Sequence, residues 1–404
     1  MKNGPLQGIR ITEFTSAWAG PYATCLLALL GAEVIKVESR KRIDHSRFIA
    51  FSMGKTFTGP DESSVFDNLN LNKKGVCLNL SQPEAVEIAK KLAAKSDIVI
   101  ENMRPGVMPR LGLGYDVLAT LKEDLIYLSS SSCGQIGPDR EFIGYAPNFA
   151  SIGGLSHDTG YPDWPPSNLM GFIDLKSATT AAYAMLMALI HHQKTGEGQY
   201  IDLASQETVA ILNSDMLLDY IMNQRVNLRK GNKDEIMSPH NCYPCNGDDR
   251  WISIAVSNDE EWQSMCRVMG NTGLADDKRF ADVYNRWINQ EALDEIIGRW
   301  TEVLDDYEVM ALLQEVGVAA APSLNSERLF ADPHIQAREA FHSVNHPVIG
   351  ENWVVAPPWR LSETPAAITR QSPLLGEHNH EVLNGLLGIP EEEIEKLQAD
   401  KVVY

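Results

Sequence analysis

The sequence predicts an α/β protein, with a doubly wound parallel sheet followed by a smaller α+β domain. Short apolar strands alternate with helices from residue 9 to residue 129, the pattern of parallel strands joined by helical crossovers. The strands at 9–14 and 33–38 flank a single helix, and such a unit is almost always right-handed. After Arg225 the pattern changes to turn-rich segments, a strand at 251–256 and several helical stretches.

Local signals bound the first helix on both sides. It begins at Ala19-Gly20-Pro21, where proline suits a first turn, and it ends at Gly31. The turn before it lacks the Gly-x-Gly-x-x-Gly pattern of a dinucleotide site, and the chain has no Walker-type phosphate loop. NAD binding of the usual kind is therefore not expected.

The alternation of strands and helices continues beyond the first unit. The next predicted elements are strands at 76–80, 97–101 and 125–129 and helices at 85–95 and 115–122. In doubly wound sheets, ligands bind beyond the carboxyl ends of the strands. The turns expected to carry function are therefore 16–19, 39–42, 102–106 and 129–137.

Residues 171–202 form the stretch around which we expect the chain to be organised. A loop ends at Asp174, a helix with small residues at its start follows, and Gly196 and Gly198 lead into a strand at 199–203. The free N–H groups and dipole of a helix start favour a carboxylate there. Asp174 is either an N-cap or an ionised nucleophile at the edge of a cleft, and the local pattern alone does not choose between these interpretations.

The rest of the chain divides by composition. After a helix predicted at 205–220, we expect residues 1–227 to belong to the large domain and 228–325 to form the small domain. Residues 326–404 are a proline-punctuated linker and a C-terminal part with two short helices.

Composition excludes several classes of protein. The 404-residue chain carries a formal net charge of −19, which argues against non-specific binding to nucleic acid or to an acidic membrane surface. No signal peptide is recognisable, and the longest apolar run, residues 178–190, is too short to span a bilayer. We therefore expect a cytoplasmic protein.

Cysteines and serines offer weaker candidate sites. Six cysteines are too few for a disulfide framework, and the single Cys242-x-x-Cys245 pair is weak evidence for a redox or metal site. No metal site is predicted. The serine run at 129–132 lacks the surroundings of a nucleophile elbow, so it is more typical of a polar strand end.

Several motifs, in this order and spacing along nearly the whole chain, resemble the class III CoA-transferase family. They are Gly8 to Phe14, Ala19-Gly20-Pro21, Gly31 to Glu38, Asn70 to Lys74, Glu101 to Gly106, Leu111 to Tyr115, Thr195 to Gln199, Trp262, Gly317-Val318, Asp332-Pro333, His346-Pro347 and Pro373 to His378. The resemblance implies that the large domain is built from both chain ends, with the small domain inserted between them. It also implies an interlocked dimer, in which two chains thread through each other.

The resemblance implies that Asp174 is the nucleophile. In the family mechanism this carboxylate attacks the donor acyl-CoA, giving a mixed anhydride and CoA thiolate. The thiolate then attacks the aspartyl carbonyl, which leaves an aspartyl-CoA thioester and releases the donor acid. The acceptor carboxylate then reverses these steps and leaves as its CoA ester. CoA thioesters are thus substrates, and no permanently bound cofactor is implied.

The resemblance also implies a set of positions for CoA. The family's binding positions correspond to Trp18, Ala19, Leu78, Asn79, Leu80, Ser81, Asn102, Met103, Arg104 and Arg110, with Gly144 and Tyr145 in the substrate region. A basic residue used by some relatives after the second strand is Ser39 here, and Arg40 next to it is the candidate. Structural alternatives exist, because Asn102 could cap a turn, and Leu78 and Leu80 could belong to the core.

Departures from the family pattern bear on the substrate. The glycine-rich loop of the oxalate-using members is missing near Gly231, which argues against oxalate. Trp18 and the aromatic residues of the 48–57 loop suggest a bulkier, partly apolar acceptor. The segments at 45–47, 129–132 and 144–148 most resemble the benzylsuccinate CoA-transferase branch, whose members take CoA from succinyl-CoA and work as two related subunits.

Two other functions compete with this interpretation. An α-methylacyl-CoA racemase shares the fold and the aspartate, but racemases carry a histidine after the glycine equivalent to Gly144, where this chain has Tyr145. A phenol ordinarily ionises only near pH 10, which makes it a poor general base. The third possibility is a non-catalytic subunit of a hetero-oligomer, and the sequence does not choose between a homodimer and a heteromer.

Overall fold

The computed structural model describes residues 4–48, 59–169 and 172–404. The chain forms two compact units. The first comprises Met1–Ser156, Asn168–Arg225 and Gln336–Tyr404, and the second comprises His157–Ser167 and Val226–Ile335. Most of the aromatic loop expected to favour a bulky acceptor, residues 49–58, lies outside the described residues.

A six-stranded sheet forms the centre of the first unit. Every neighbouring pair of its strands is parallel, and their spatial order is 3-2-1-4-5-6, so the connection reverses direction between the first and fourth strands. The six strands are β1 Arg10–Phe14, β2 Glu33–Glu38, β3 Lys74–Cys77, β4 Ile98–Glu101, β5 Ile126–Ser131 and β6 Gln199–Ala204.

Three further strands and a hairpin complete the β structure. The second unit contains an antiparallel sheet of β7 His240–Pro244, β8 Trp251–Ala255 and β9 Ala319–Pro322. Near the chain end, β10 Phe341–His346 pairs with β11 Gly350–Val355 in the first unit.

Helices occupy much of the rest of the chain. In chain order they are α1 Ala19–Leu29, α2 Ser64–Leu69, α3 Pro83–Ala94, α4 Val107–Arg110, α5 Tyr115–Leu121, α6 Ala146–Ile152, α7 Leu155–Asp158, α8 Phe172–Thr195, α9 Ser205–Leu212, α10 Ser214–Asn223, α11 Asp259–Val268, α12 Gly273–Asp276, α13 Val283–Ile288, α14 Gln290–Thr301, α15 Asp306–Glu315, α16 Ser326–Ala331, α17 Pro333–Ala337 and α18 Glu391–Ala399. A 3-10 turn at His45–Phe48 and a π-helical segment at Glu381–Leu386 are also present.

Helices cover both faces of the large sheet, as predicted for a doubly wound fold. On one face α1 and α8 pack against Ile11, Ile98 and Leu128. On the other face α3, α5 and α18 pack against Phe14 and Val99. The inner strands are therefore buried on both sides, whereas in the outer strand β6 buried or half-buried residues alternate with exposed ones.

Helix α8 is a core helix of this unit. Among the described residues it is the one helix long and apolar enough to cross a membrane by length and composition. Its small residues, including Ala178, Ala181 and Ala188, are buried against α1 and the sheet. Small side chains at this contact let the two helices approach closely, so burial in the protein core accounts for the apolar character.

Two predicted elements differ from the observed ones. The strand expected at 76–80 ends at Cys77, because Leu78 pairs with Val403 and the Asn79 N–H donates to the carbonyl of Val402 at the chain end. The helix expected at 205–220 is two helices, since the chain breaks between α9 and α10 at Asn213.

The second unit has its own apolar core. Trp262 is almost fully buried there, against Phe280 and the strands of the antiparallel sheet. The guanidinium of Arg286, also fully buried, lies over the Trp262 ring and donates to the Ser238 carbonyl. Cys242 and Cys245 are both free, and no cluster of metal-binding side chains occurs among the residues that the structure describes.

Candidate active site

Asp174 lies in the first turn of α8 in the first unit. It is the third residue of the helix, so the N-cap interpretation is wrong. The preceding residue, Ile173, is fully buried in an apolar cluster with Phe149 of α6 and Val209 of α9. This packing anchors the start of α8 and thereby fixes the position of the Asp174 backbone.

The carboxylate of Asp174 is partly desolvated and has no partner among the residues that the structure describes. Across the described part of the chain, no hydrogen bond or ion pair to this side chain is found. Burial raises the pKa of Asp174 from its usual 3.8 to about 6. The group is therefore mainly ionised at neutral pH, but it has exchanged part of its hydration for a less polar surrounding, which is the state expected of an activated carboxylate nucleophile.

The segment at Gly144 and Tyr145 leads into α6, which packs beside the start of α8. The Tyr145 N–H donates to Asn148 Oδ1 at 3.0 Å, while the Tyr145 side chain is 67% exposed. A Cβ atom on Gly144 would lie 2.7 Å from the Phe149 ring. Glycine is thus required at position 144 by packing, and Tyr145 is free to meet a ligand.

The loops that follow β1 and β4 meet where the strand order reverses. The Ser16 N–H donates to Asn102 Oδ1 at 2.9 Å, and Asn102 Nδ2 donates to the Ser16 carbonyl at 2.8 Å. A Cβ atom on Gly20 would lie 2.7 Å from the Thr15 side chain and 3.1 Å from the Asn102 amide carbon. Asn102 therefore holds the turn that follows β1, which agrees with the alternative that this residue has a structural role in a turn.

Trp18 and Ala19 stand at the start of α1. Both are half-buried, and Trp18 is the N-cap although its side chain makes no capping hydrogen bond. The first turn of α1 contains no acidic residue. The free N–H groups and the positive helix end can therefore receive an anionic group of a ligand.

The other residues of the 102–104 segment differ in their surroundings. Met103 packs partly against the apolar core, and its N–H donates to Glu101 Oε2 at 2.7 Å. Arg104 is exposed, and so is Arg110, whose guanidinium lies beneath Gly106. Two cations therefore flank the turn after β4.

The 78–81 segment is only partly available to a ligand. Leu78 is fully buried and Leu80 packs partly on the same core, so their side chains serve packing. The Asn79 amide is also buried, since it donates to the Lys401 carbonyl at 3.2 Å and accepts from the Ser81 hydroxyl at 2.6 Å. Ser81 is exposed and remains accessible.

Arg40 lies on the surface after β2. It is exposed, and its guanidinium is 5.9 Å from the centre of the Tyr404 ring. The position thus has an exposed cation near the carboxyl end of the strand.

Sequence reasoning missed two buried polar groups at this edge of the sheet. Glu101 is 3% exposed, and burial, reinforced by the nearby Asp202 carboxylate, raises the pKa of Glu101 to about 7. Lys36 is fully buried and pairs with Asp44 at 2.9 Å. The charged residues at the end of β4 and in the middle of β2 were the available signals, because such residues are rarely buried without a partner.

This fold matches solved structures. A crystal structure of a CAIB/BAIF family protein from Brucella suis superposes with a TM-score of 0.86 at 28% sequence identity, covering 95% of this chain and 100% of that one. The sequence profile of CoA-transferase family III matches residues 6–379. The chain belongs to this family and is a family III CoA-transferase enzyme.

Relatives whose activities are named agree with this assignment. The chain is 34% identical to the succinyl-CoA–D-citramalate CoA-transferase of Chloroflexus aurantiacus, over 99% of this chain and 98% of that protein. It is 33% identical to the beta subunit of the succinyl-CoA–L-malate CoA-transferase from the same organism, again over 99% and 98% of the two chains.

Proposed function

We propose that this enzyme moves CoA from succinyl-CoA to a carboxylic acid through covalent intermediates on Asp174. The observation that carries the proposal is the Asp174 carboxylate itself, which is partly desolvated and without a partner among the described residues. A structural aspartate in a first helical turn would normally face water or bond to a backbone N–H. An unpaired carboxylate of this kind is instead suited to attack a bound thioester.

The proposed reaction exchanges one CoA thioester for another, with no net change in the number of thioester bonds. One Asp174 oxygen attacks the thioester carbonyl, the C–S bond breaks, and an aspartyl–acyl anhydride and CoA thiolate result. The thiolate attacks the aspartyl carbonyl, which releases succinate and leaves an aspartyl-CoA thioester. The acceptor carboxylate attacks that thioester, the thiolate departs and returns to the acceptor carbonyl of the new anhydride, and Asp174 is regenerated.

CoA is proposed to bind along the carboxyl edge of the large sheet. The uncapped start of α1 at Trp18 and Ala19 and the exposed cations Arg40, Arg104 and Arg110 support this, because CoA carries several phosphate charges. Leu78, Asn79, Leu80 and Asn102 would contribute mainly by shaping the surface, since their side chains are engaged elsewhere. Ser81 and Met103 lie in the same loops, and Gly144 and Tyr145 would face the acyl group.

A short aliphatic dicarboxylic acid is the acceptor that we propose to test first. The two named relatives pair succinyl-CoA with citramalate and malate. The expected benzylsuccinate acceptor has no support from these names, so it serves as the contrasting substrate. Acceptor turnover measured with malate, citramalate and benzylsuccinate would rank the three.

We further propose that the enzyme is a cytoplasmic interlocked dimer, either of two copies or with a related subunit. Helix α10 supports the dimer, because none of its residues is buried although Leu217, Leu218 and Ile221 are apolar. An apolar helix of this kind is stable in water when another chain covers it. One relative is itself named a beta subunit, which keeps the heteromer open to test.

Hydroxylamine trapping tests the covalent mechanism. The purified protein is incubated with succinyl-CoA, treated with hydroxylamine, and digested for mass spectrometry of the peptide that contains Asp174. We expect a hydroxamate on Asp174. The matched control is Asp116→Asn, which alters an exposed aspartate in the first turn of α5 and should leave trapping unchanged, while Asp174→Asn abolishes it.

The alternatives predict different outcomes. A racemase would exchange the α-hydrogen of a 2-methylacyl-CoA with solvent deuterium and give no hydroxamate. A non-catalytic subunit would bind CoA but give no adduct on Asp174, and after its partner is added the adduct would appear on the partner only. Absence of an adduct in protein that binds CoA would therefore refute the proposal.

A further inference from the structure

Three consecutive residues of the turn after β1 are each held by a side chain from another part of the first unit. Lys36 Nζ donates to the Thr15 carbonyl at 2.9 Å. Asn102 bonds to both the N–H and the carbonyl of Ser16. The Ala17 N–H donates to Asp44 Oδ1 at 2.9 Å. The turn immediately precedes Trp18 and the start of α1.

The backbone conformation of this turn is intrinsically unfavourable at one residue. Ala17 has φ 67°, in the left-handed region where a Cβ atom is crowded by its own backbone. Such a conformation persists only where the surroundings enforce it. The three side-chain contacts supply that enforcement.

The side chains of Lys36 and Asp44, which make two of the three contacts, also form an ion pair with each other. Lys36 Nζ lies 2.9 Å from Asp44 Oδ2, and both side chains are buried. Burial disfavours both charges, yet the Lys36 ammonium and the backbone donors of Ser46 and Ala17 outweigh it and lower the pKa of Asp44. Glu13 Oε1 lies 3.5 Å from Lys36 Nζ, so the ammonium is enclosed by carboxylates.

A buried ion pair is weak evidence for stability, because apolar residues of similar volume often stabilise a core as well or better. What an apolar pair cannot do is accept a hydrogen bond from the Ala17 N–H or donate one to the Thr15 carbonyl. The buried charges therefore contribute a defined turn geometry that apolar packing would not.

We propose that Lys36 and Asp44 are positioning residues, which hold the Thr15–Ala17 turn, and through it Trp18 and the start of α1, in the shape that receives CoA. This inference rests on the proposed function, because it takes CoA to bind at that turn. Neither residue is exposed, and neither is assigned a contact with the ligand.

The test compares two substitutions of Asp44 in the full-length protein. Asp44→Ala and Asp44→Asn both remove the charge that faces Lys36, but only the asparagine retains an oxygen for the Ala17 N–H. We expect Asp44→Ala to raise the Kd for CoA, measured by isothermal titration calorimetry, by about tenfold or more. Asp44→Asn should weaken CoA binding less, because its single oxygen keeps the Ala17 N–H contact while the Lys36 ammonium loses its carboxylate partner. If Asp44→Ala fails to fold, Asp44→Ser replaces it, because its shorter side chain also leaves the Ala17 N–H without its acceptor.

A matched variant separates positioning from general stability. Asn72 also has a left-handed backbone, at φ 64°, and its side chain accepts from the backbone N–H groups of Thr369 and Arg370. It precedes β3, at the opposite edge of the sheet from the candidate site. Asn72→Ala should lower the melting temperature without changing the Kd for CoA.

Each outcome bears on one proposal. A larger rise in the Kd for CoA in Asp44→Ala than in Asp44→Asn supports the positioning role, and equal rises in the two variants overturn the part assigned to the Ala17 hydrogen bond. Unchanged CoA binding by Asp44→Ala, or equal weakening by Asn72→Ala, overturns it while the proposed function stands. If the wild-type protein neither binds CoA nor forms the Asp174 adduct, the proposed function itself fails.

Discussion

Replacing Asp174 by asparagine should stabilise the protein at neutral pH. Burial raises the pKa of Asp174 from 3.8 to about 6, so the folded protein holds this proton more tightly than the unfolded chain does. At 1.36 kcal/mol for each pH unit, the difference corresponds to about 3 kcal/mol. Asp174 is half-buried and water screens part of this effect, so we take about 1–3 kcal/mol as the expected range.

The sign of the effect sets its pH dependence. Below pH 3.8 the carboxyl is protonated in both states and contributes nothing. As the pH rises toward 6, the unfolded chain ionises first, and the folded state loses stability relative to it. The advantage of Asp174→Asn should therefore grow between pH 4 and pH 7 and then remain constant.

Urea denaturation followed by tryptophan fluorescence measures the difference, at one protein concentration so that any assembly is held constant. The Asp116→Asn variant is the control: it shows how the free energy of unfolding changes when the charge of an exposed first-turn aspartate is removed. An advantage that is absent, or independent of pH between 4 and 7, would show that the carboxylate is hydrated and would remove the physical basis for its activation.

Three other perturbations have defined expected outcomes. Adduct formation on Asp174 should be about tenfold slower at pH 5 than at pH 7, because a carboxyl with a pKa of about 6 is about 10% ionised at pH 5. Rapid-quench mass spectrometry measures the rate of adduct formation, and a rate that does not change with pH would contradict the prediction. Ile221→Glu on α10 should reduce the dimer mass in light scattering, whereas Val117→Glu on α5 should not; an intact dimer would exclude α10 from the interface. Val403→Ala should lower the free energy of unfolding by about 1–3 kcal/mol, since this residue is fully buried and pairs with Leu78. Val117→Ala is the exposed control, and equal urea midpoints for the two variants would argue against the pairing.

Much of the fold was accessible from local sequence. The boundaries of β2 were predicted residue for residue at 33–38, and those of α1 within one residue, because strand burial and the glycine stop are local signals. The family assignment is confirmed by the profile match, whereas the acceptor is not decided by motifs, since it depends on side chains that line a pocket.

The candidate site itself stays a prediction. The sequence picked out Asp174 and the turns at 16–19 and 102–106, since in parallel sheets the carboxyl ends of the strands lie at one edge. The sequence alone did not decide whether Asp174 is an N-cap or a nucleophile, because that depends on whether nearby groups bond to its carboxylate. The N-cap interpretation failed because α8 begins at Phe172.

By itself, then, the sequence determined the alternation of strands and helices and the family, and it predicted which turns carry function. Only the tertiary structure decided that Leu78 pairs with Val403, and that Lys36 and Asp44 hold the turn at Ala17. The physical reason is that helix and strand signals act between neighbouring residues. Burial, pKa shifts and backbone strain instead depend on groups that meet only when distant segments pack together.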